Sequence, residues 1–204
     1  MKYVKIVPNY LPHDLCDELN SWVRTAIAED KIGVGITTPS DDIPWTSAIR
    51  VPSPLRYTSR MYADRFKYPE LVRTLHSQIE QDFNLTKWHF PVHEHAKDAT
   101  VVSATMPGGD VYLHKDPHGS YPDKEVLRCN ILTEETQGGL IWVEGESYTL
   151  KKGDMMQYLV SRREHSVETV IGQPGDLRIM WMFGWHVDGD EWENSIQLTN
   201  KDNK

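Results

Sequence analysis

Cysteine is scarce in this sequence: Cys16 and Cys129 are the only two in 204 residues, and neither belongs to a C-x-x-C pair. That excludes a disulfide framework and a thiolate zinc site, and it predicts reduced thiols in a cytoplasmic protein. Long apolar runs are missing too. No stretch reaches the roughly 18 residues that span a bilayer, and in residues 1–10, MKYVKIVPNY, charges and a proline interrupt the apolar run of a signal peptide. A soluble chain with no membrane partner is expected. Basic charge is in deficit, with 22 Lys and Arg against 30 Asp and Glu and a formal net charge of −8, giving a pI near 5.6. Such a surface repels a phosphate backbone, which makes nucleic acid a disfavoured partner. Lys151, Lys152, Arg162 and Arg163 are the only candidates for a local basic patch. Internal repeats and low-complexity tracts are absent. The length suffices for one domain with a real core, read here as 1–204.

What is present falls into two halves. After a short apolar strand at 3–7, Pro12-His13-Asp14 offers a helix start, and Leu15, Leu19, Trp22, Val23 and Ile27 recur at helical intervals. A second helix is expected with Pro69 in its first turn and Leu71, Leu75, Ile79 and Phe83 on one face. Residues 31–68, rich in Gly, Pro, Ser, Thr and Asp, show no sustained period and read as an irregular segment covering a cleft. From 86 the pattern changes to short β-branched and aromatic runs, read as strands near 86–92, 99–106, 110–115, 125–133, 139–144, 147–150, 154–160, 165–170 and 176–186. Turn chemistry separates them, at Pro107-Gly108-Gly109, Gly138-Gly139, Lys152-Gly153-Asp154 and Gly172-Gln173-Pro174-Gly175. The expected fold is mainly β with helices on one face (α+β), a double-stranded β-helix or jelly-roll, cupin-like barrel. Within it, 1–85 forms a helical and irregular N-terminal support, 86–187 the barrel, and 188–204 a poorly tethered polar tail, in which Trp192 and Ile196 are the residues able to dock.

The chemistry concentrates in Thr105-Met-Pro-Gly-Gly-Asp-Val-Tyr-Leu-His-Lys-Asp116. Strand alternation places His114 and Asp116 on one face, and His165 follows 51 residues later. Two imidazoles and one carboxylate are the donor set of the facial triad of non-haem iron(II) oxygenases, which leaves three positions open. Against this stands coincidence, because a chain with nine histidines produces some H-x-D by chance. A fourth feature weighs on the functional side. Arg178 lies 13 residues past His165 in the apolar run Leu-Arg-Ile-Met-Trp-Met-Phe, where an isolated charge is costly without a partner. Its forked guanidinium suits a carboxylate; the plainer alternatives are a strand-end arginine reaching solvent or pairing with Glu168 or Asp176.

Met106-Pro-Gly-Gly-Asp-Val-Tyr-Leu-His-Lys-Asp116 resembles the "Pro-Gly … His-x-Asp" strand of 2-oxoglutarate/iron(II) dioxygenases of the prolyl-hydroxylase type. Leu127-Arg128-Cys-Asn-Ile-Leu, Gly139-Leu-Ile-Trp-Val and Leu150-Lys-Lys-Gly-Asp-Met-Met-Gln-Tyr are similar to strands of the aspartyl/asparaginyl β-hydroxylase branch. The resemblance covers about 99–187. It implies Fe(II) held by His114, Asp116 and His165, with Arg178 clamping the distal carboxylate of 2-oxoglutarate. It also implies Arg128 as a second basic contact toward co-substrate or substrate. The implied activity consumes O2 and 2-oxoglutarate, releases succinate and CO2, and hydroxylates an unactivated carbon of an amino acid or peptide side chain. Asn130 departs from the second branch, which has a histidine there; some members of that branch lack the carboxylate ligand. The aspartate argues against the related halogenases.

Other readings stay open. His93-x-His95 with His165 suits a cupin-like metal-binding or sugar-binding module without oxygenase activity, although the glutamate strand and glycine turn of a cupin are not at their spacing. The same chemistry on another small molecule, or a nucleic-acid demethylase, are further alternatives. His118 is a possible substitute ligand or a loop residue at the cleft mouth. Trp142, Tyr158, Trp181 and Trp185 read as barrel core or wall, and Tyr112 as a possible donor to a co-substrate oxygen.

Overall fold

The computed structural model describes residues 3–29, 33–37, 51–60, 68–85, 100–116, 118 and 123–201. The two apolar stripes form helices α1 (His13–Ala28) and α2 (Glu70–Asp82). Each begins directly after a proline, a residue that cannot supply the N–H an interior helical turn needs. Their buried faces run through Cys16, Leu19, Asn20, Val23 and Ala26, and through Val72, Leu75 and Ile79. No helix among the described residues is long and apolar enough to cross a membrane.

Strands dominate the rest. Those of the first half are β1 (Lys5–Val7), β2 (Gly33–Thr37), β3 (Val51–Arg60), β4 (Thr100–Thr105), β5 (Val111–His114), β6 (Glu125–Glu134) and β7 (Gln137–Gly138). They are followed by β8 (Ile141–Val143), β9 (Glu146–Tyr148), β10 (Met155–Leu159), β11 (His165–Val167), β12 (Val170–Ile171) and β13 (Arg178–Val187). A seven-stranded sheet has the order β1-β10-β6-β13-β4-β3-β2, and a four-stranded sheet the order β5-β11-β8-β9. β12 and β7 form a separate ribbon.

Period-two alternation sorts the residues of the large sheet. One set, including Leu127, Cys129, Ile131, Ile179, Trp181, Phe183 and Trp185, packs with α1, α2 and Trp192 and Ile196 of α3 (Gly189–Lys201). The opposite set, including Val126, Leu132, Met156, Tyr158 and Met180, packs with Ile141, Val143 and Tyr148 of the small sheet. The molecule is therefore mainly β, with its helices gathered on one outer face.

Trp181 anchors the outer core: it is fully buried, and its ring lies 5.4 Å from that of Tyr68 and 5.8 Å from that of Trp22. Trp181→Ala is expected to cost about 3–5 kcal/mol, read as a lowered denaturant midpoint in equilibrium unfolding.

Two segments differ from their sequence reading. The stretch 31–68 supplies β2 and β3, which extend the large sheet. Pro52 and Pro54 belong to β3, and both lie outside the stretch 56–60 that pairs with β4; only there is the strand flanked on both sides. The polar C-terminal stretch forms α3 and docks through Trp192 and Ile196, both buried. The strand expected at 86–92 and the His93-x-His95 pair lie outside the described residues.

Candidate metal centre

Antiparallel pairing of β11 with β5 sets His165 directly opposite His114, so residues 51 positions apart become neighbours with ring centroids 4.2 Å apart. β5 ends at His114, and Asp116 is carried by the following loop, not by strand alternation. Its N–H donates to Val160 O at 2.9 Å, which turns the carboxylate back so that Oδ1 is 3.4 Å from His114 Nε2. The candidate ligand atoms of His114, Asp116 and His165 all lie within 4.8 Å of one another.

Each imidazole is oriented in the same way. His114 Nδ1 lies 2.7 Å from Tyr112 O, and His165 Nδ1 lies 3.0 Å from Arg163 O. A carbonyl only accepts, so Nδ1 carries the proton in both rings and Nε2 presents a lone pair. Burial, and then the like charge of His114, lower His165 to about 4, which keeps this imidazole neutral, the state in which it coordinates metal. Burial opposes ionisation of Asp116, but the positive charge of Arg128 holds the carboxyl well below the ordinary carboxylate range. Arg128 Nε is 3.8 Å from Asp116 Oδ2. One anionic oxygen donor and two neutral nitrogen donors fit a divalent transition metal with open positions.

These shifts have a consequence for the metal-free chain. An unfolded histidine takes up a proton near pH 6.5, whereas folded His165 resists until about 4. The unfolded state binds the extra proton in that window, so stability falls as pH drops through it, by up to about 3 kcal/mol. Asp116, depressed in the fold, adds a further loss below about pH 4. Urea unfolding of the metal-free chain at pH 7.5, 6 and 5 measures this, and His165→Gln is expected to flatten the dependence.

Arg178 opens β13 and is only 6% exposed. Of the two carboxylates considered as its partners, Glu168 accepts from Trp142 Nε1 at 2.7 Å and Asp176 from the Gln173 N–H at 2.6 Å. Gly139 explains how the side chain fits. A Cβ at that position, where φ is +65°, would come within 2.7 Å of Arg178 Cδ and 2.9 Å of Nε, so only glycine both adopts this backbone and leaves the room.

Tyr158, weighed in sequence as core or wall, belongs to this interior. Its ring meets His165 edge-on at 5.3 Å. Burial and then the charge of Asp116 raise its phenol, while a hydrogen bond from Asn130 and the charges of Arg128 and Arg178 pull the other way. Asn130 neighbours it, buried, with its Oδ1 unpartnered among the described residues. Period-two alternation relative to Leu127 and Ile131 was the available signal for Asn130. His118 is not in the cluster; its Nδ1 lies 2.8 Å from Lys124 O. Tyr112 is largely exposed and contributes its backbone carbonyl.

No protein-family model matches the chain, and no curated protein matches its sequence. Solved structures do. A Pseudomonas putida prolyl-4-hydroxylase aligns with TM-score 0.61 at 14% identity, covering 92% of this chain and 94% of that one. A Trichoplax adhaerens prolyl hydroxylase in complex with a hypoxia-inducible-factor peptide fragment aligns at 0.61 and 14%, covering 96% and 87%. HygX from Streptomyces hygroscopicus, with nickel and 2-oxoglutarate bound, aligns at 0.58 and 7%, covering 91% and 83%.

The chain has the fold of the 2-oxoglutarate/iron(II) oxygenases.

At these identities the likeness concerns backbone, and the residues that line the oxygenase fold here are this chain's own. The cluster of His114, Asp116 and His165 lies where β5 and β11 meet, with Tyr158 beside it.

Proposed function

We propose that this protein is an iron(II)- and 2-oxoglutarate-dependent oxygenase that hydroxylates an unactivated carbon of an amino acid or peptide side chain. The observation that carries the reading is the convergence of two Nδ1-protonated imidazoles and one ionised carboxylate, in an interior that also holds a buried arginine. The sheet pair is read as a double-stranded β-helix spanning 86–187, within one catalytic unit to which the N-terminal segment and α3 contribute packing. The two buried, unpaired thiols suit a cytoplasmic setting.

In this reading His114, Asp116 and His165 hold the metal, and Arg128 fixes the second oxygen of Asp116 while adding positive charge toward co-substrate. Arg178, seated against Gly139, takes the distal carboxylate of 2-oxoglutarate as a forked donor. Tyr158, kept protonated, donates a hydrogen bond beside the metal. Iron with 2-oxoglutarate and O2 supplies the oxidising power, with succinate and CO2 as co-products; the protein binds, orients and excludes water. The peptide-bound and 2-oxoglutarate-bound structures that share the fold support a peptide or small-molecule substrate. The reading is tested by following succinate release from 2-oxoglutarate with and without added Fe(II), across a panel of peptides and free amino acids. Fe(II)-dependent succinate release stimulated by one class names the substrate; no succinate under any condition overturns the assignment and favours a cupin-like binding module.

A further inference from the structure

The segment between β10 and β11 delivers His165, and it is tied to the C-terminal helix by charge. Glu193 of α3 is buried. Its Oε1 accepts from Arg163 Nε at 2.9 Å and Nη2 at 2.7 Å, and its Oε2 accepts from Nη2 at 2.8 Å. Arg162 Nη1 lies 3.5 Å from Oε2 and donates to Asp190 Oδ1 at 2.6 Å, while its Nε donates to Glu125 Oε1 at 3.1 Å. On its other side the Arg163 guanidinium lies 3.6 Å from the centre of the Tyr3 ring. The Arg163 N–H donates to Leu159 O at 2.9 Å, and the Glu164 N–H to Glu144 Oε1 at 3.0 Å. Arg163 is thus held by its side chain and its backbone, and its carbonyl is the acceptor for His165 Nδ1.

We infer that Glu193 is a positioning residue for the metal centre, acting through Arg163 to hold the carbonyl that fixes the tautomer and angle of His165. The inference rests on the reading of His165 as a metal ligand. Acceptors behind a ligating imidazole set its ring orientation and basicity, and losing such a partner weakens metal affinity by about 10- to 100-fold. Here the acceptor is a backbone carbonyl that no side-chain change removes, so the buried ion pair behind it is where sequence can tune it. The C-terminal helix, whose Glu193 lies 28 residues beyond His165 in sequence, becomes part of the metal site's support.

The test compares Glu193→Gln with Ile196→Ala, which removes an apolar side chain that docks the same helix but leaves the ion pair. Two quantities are read for each: Co(II) affinity, by the cobalt absorption bands, and the ring nitrogen signals of His165 in the metal-free protein, by NMR. Glu193→Gln is expected to weaken Co(II) about tenfold, to speed exchange of the His165 Nδ1 proton and to bring up an Nε2-protonated form, while Ile196→Ala lowers the unfolding midpoint with neither change. Glu193→Asp, which keeps the charge and shortens the reach, gives the same effects at smaller amplitude if the glutamine variant does not fold. Wild-type ring signals and Co(II) affinity in the Glu193 variants, or the same changes in Ile196→Ala, overturn the inference. Absence of Co(II) binding in the wild type contradicts the oxygenase reading instead, and the metal-free ring signals then decide the role of Glu193 alone.

Discussion

Arg178→Met is expected to abolish useful binding of 2-oxoglutarate while leaving metal affinity within about threefold. The substitution keeps an unbranched side chain of similar length against Gly139 and removes only the charge and its fork of donors. Truncating one partner of a buried, hydrogen-bonded charge pair costs about 2–5 kcal/mol, which is about 30-fold to several thousand-fold in Kd. Calorimetric titration of 2-oxoglutarate into the Co(II)-loaded variant measures the effect. A variant that binds the keto acid as the wild type does would show that Arg178 has only a structural task in β13.

Asp116→Ala separates the metal from the co-substrate. It deletes the anionic donor of the cluster and leaves Arg128 facing two imidazoles, so the local charge turns from balanced to positive. Loss of a partner behind a ligand already costs about 10- to 100-fold in metal affinity; loss of the ligand itself is expected to exceed about 100-fold. Asp116→Asn, with the same shape and no charge, is expected to fall between the two. The check is a competition titration of Co(II) against a chelator of known affinity. Unchanged affinity in both variants would mean that Asp116 serves the fold, through its loop, and not a metal.

The reach of the sequence had physical limits that particular residues illustrate. α1 and α2 were legible because their apolar positions repeat at helical intervals, and β6, β10 and β13 because burial on both faces leaves short, dense apolar runs. β2 and β3 were hidden, since Gly33, Gly35, Pro52 and Pro54 break any period and their pairing is set by the neighbouring sheet. His114, Asp116, His165 and Arg178 stood out as residue types in an order. The meeting of His114, Asp116 and His165 did not, because the His114–His165 register is a long-range property of β5 and β11. The route by which Asp116 reaches the cluster was also misread: the strand stops two residues early, and a backbone hydrogen bond to Val160 does what alternation was expected to do. Tyr158 and the carbonyls of Tyr112 and Arg163 carry no sequence signal, since a buried aromatic and a backbone oxygen look the same wherever they occur.

The central claim is that one site holds a metal and a chelating keto acid together. Anaerobic titration of Fe(II) and 2-oxoglutarate into the purified protein tests it most directly, by the weak visible charge-transfer band of an iron-chelated keto acid. The band is expected to saturate at one equivalent of each, to weaken strongly in Arg178→Met and to vanish in Asp116→Ala. Metal bound without any band in the wild type would contradict the oxygenase assignment.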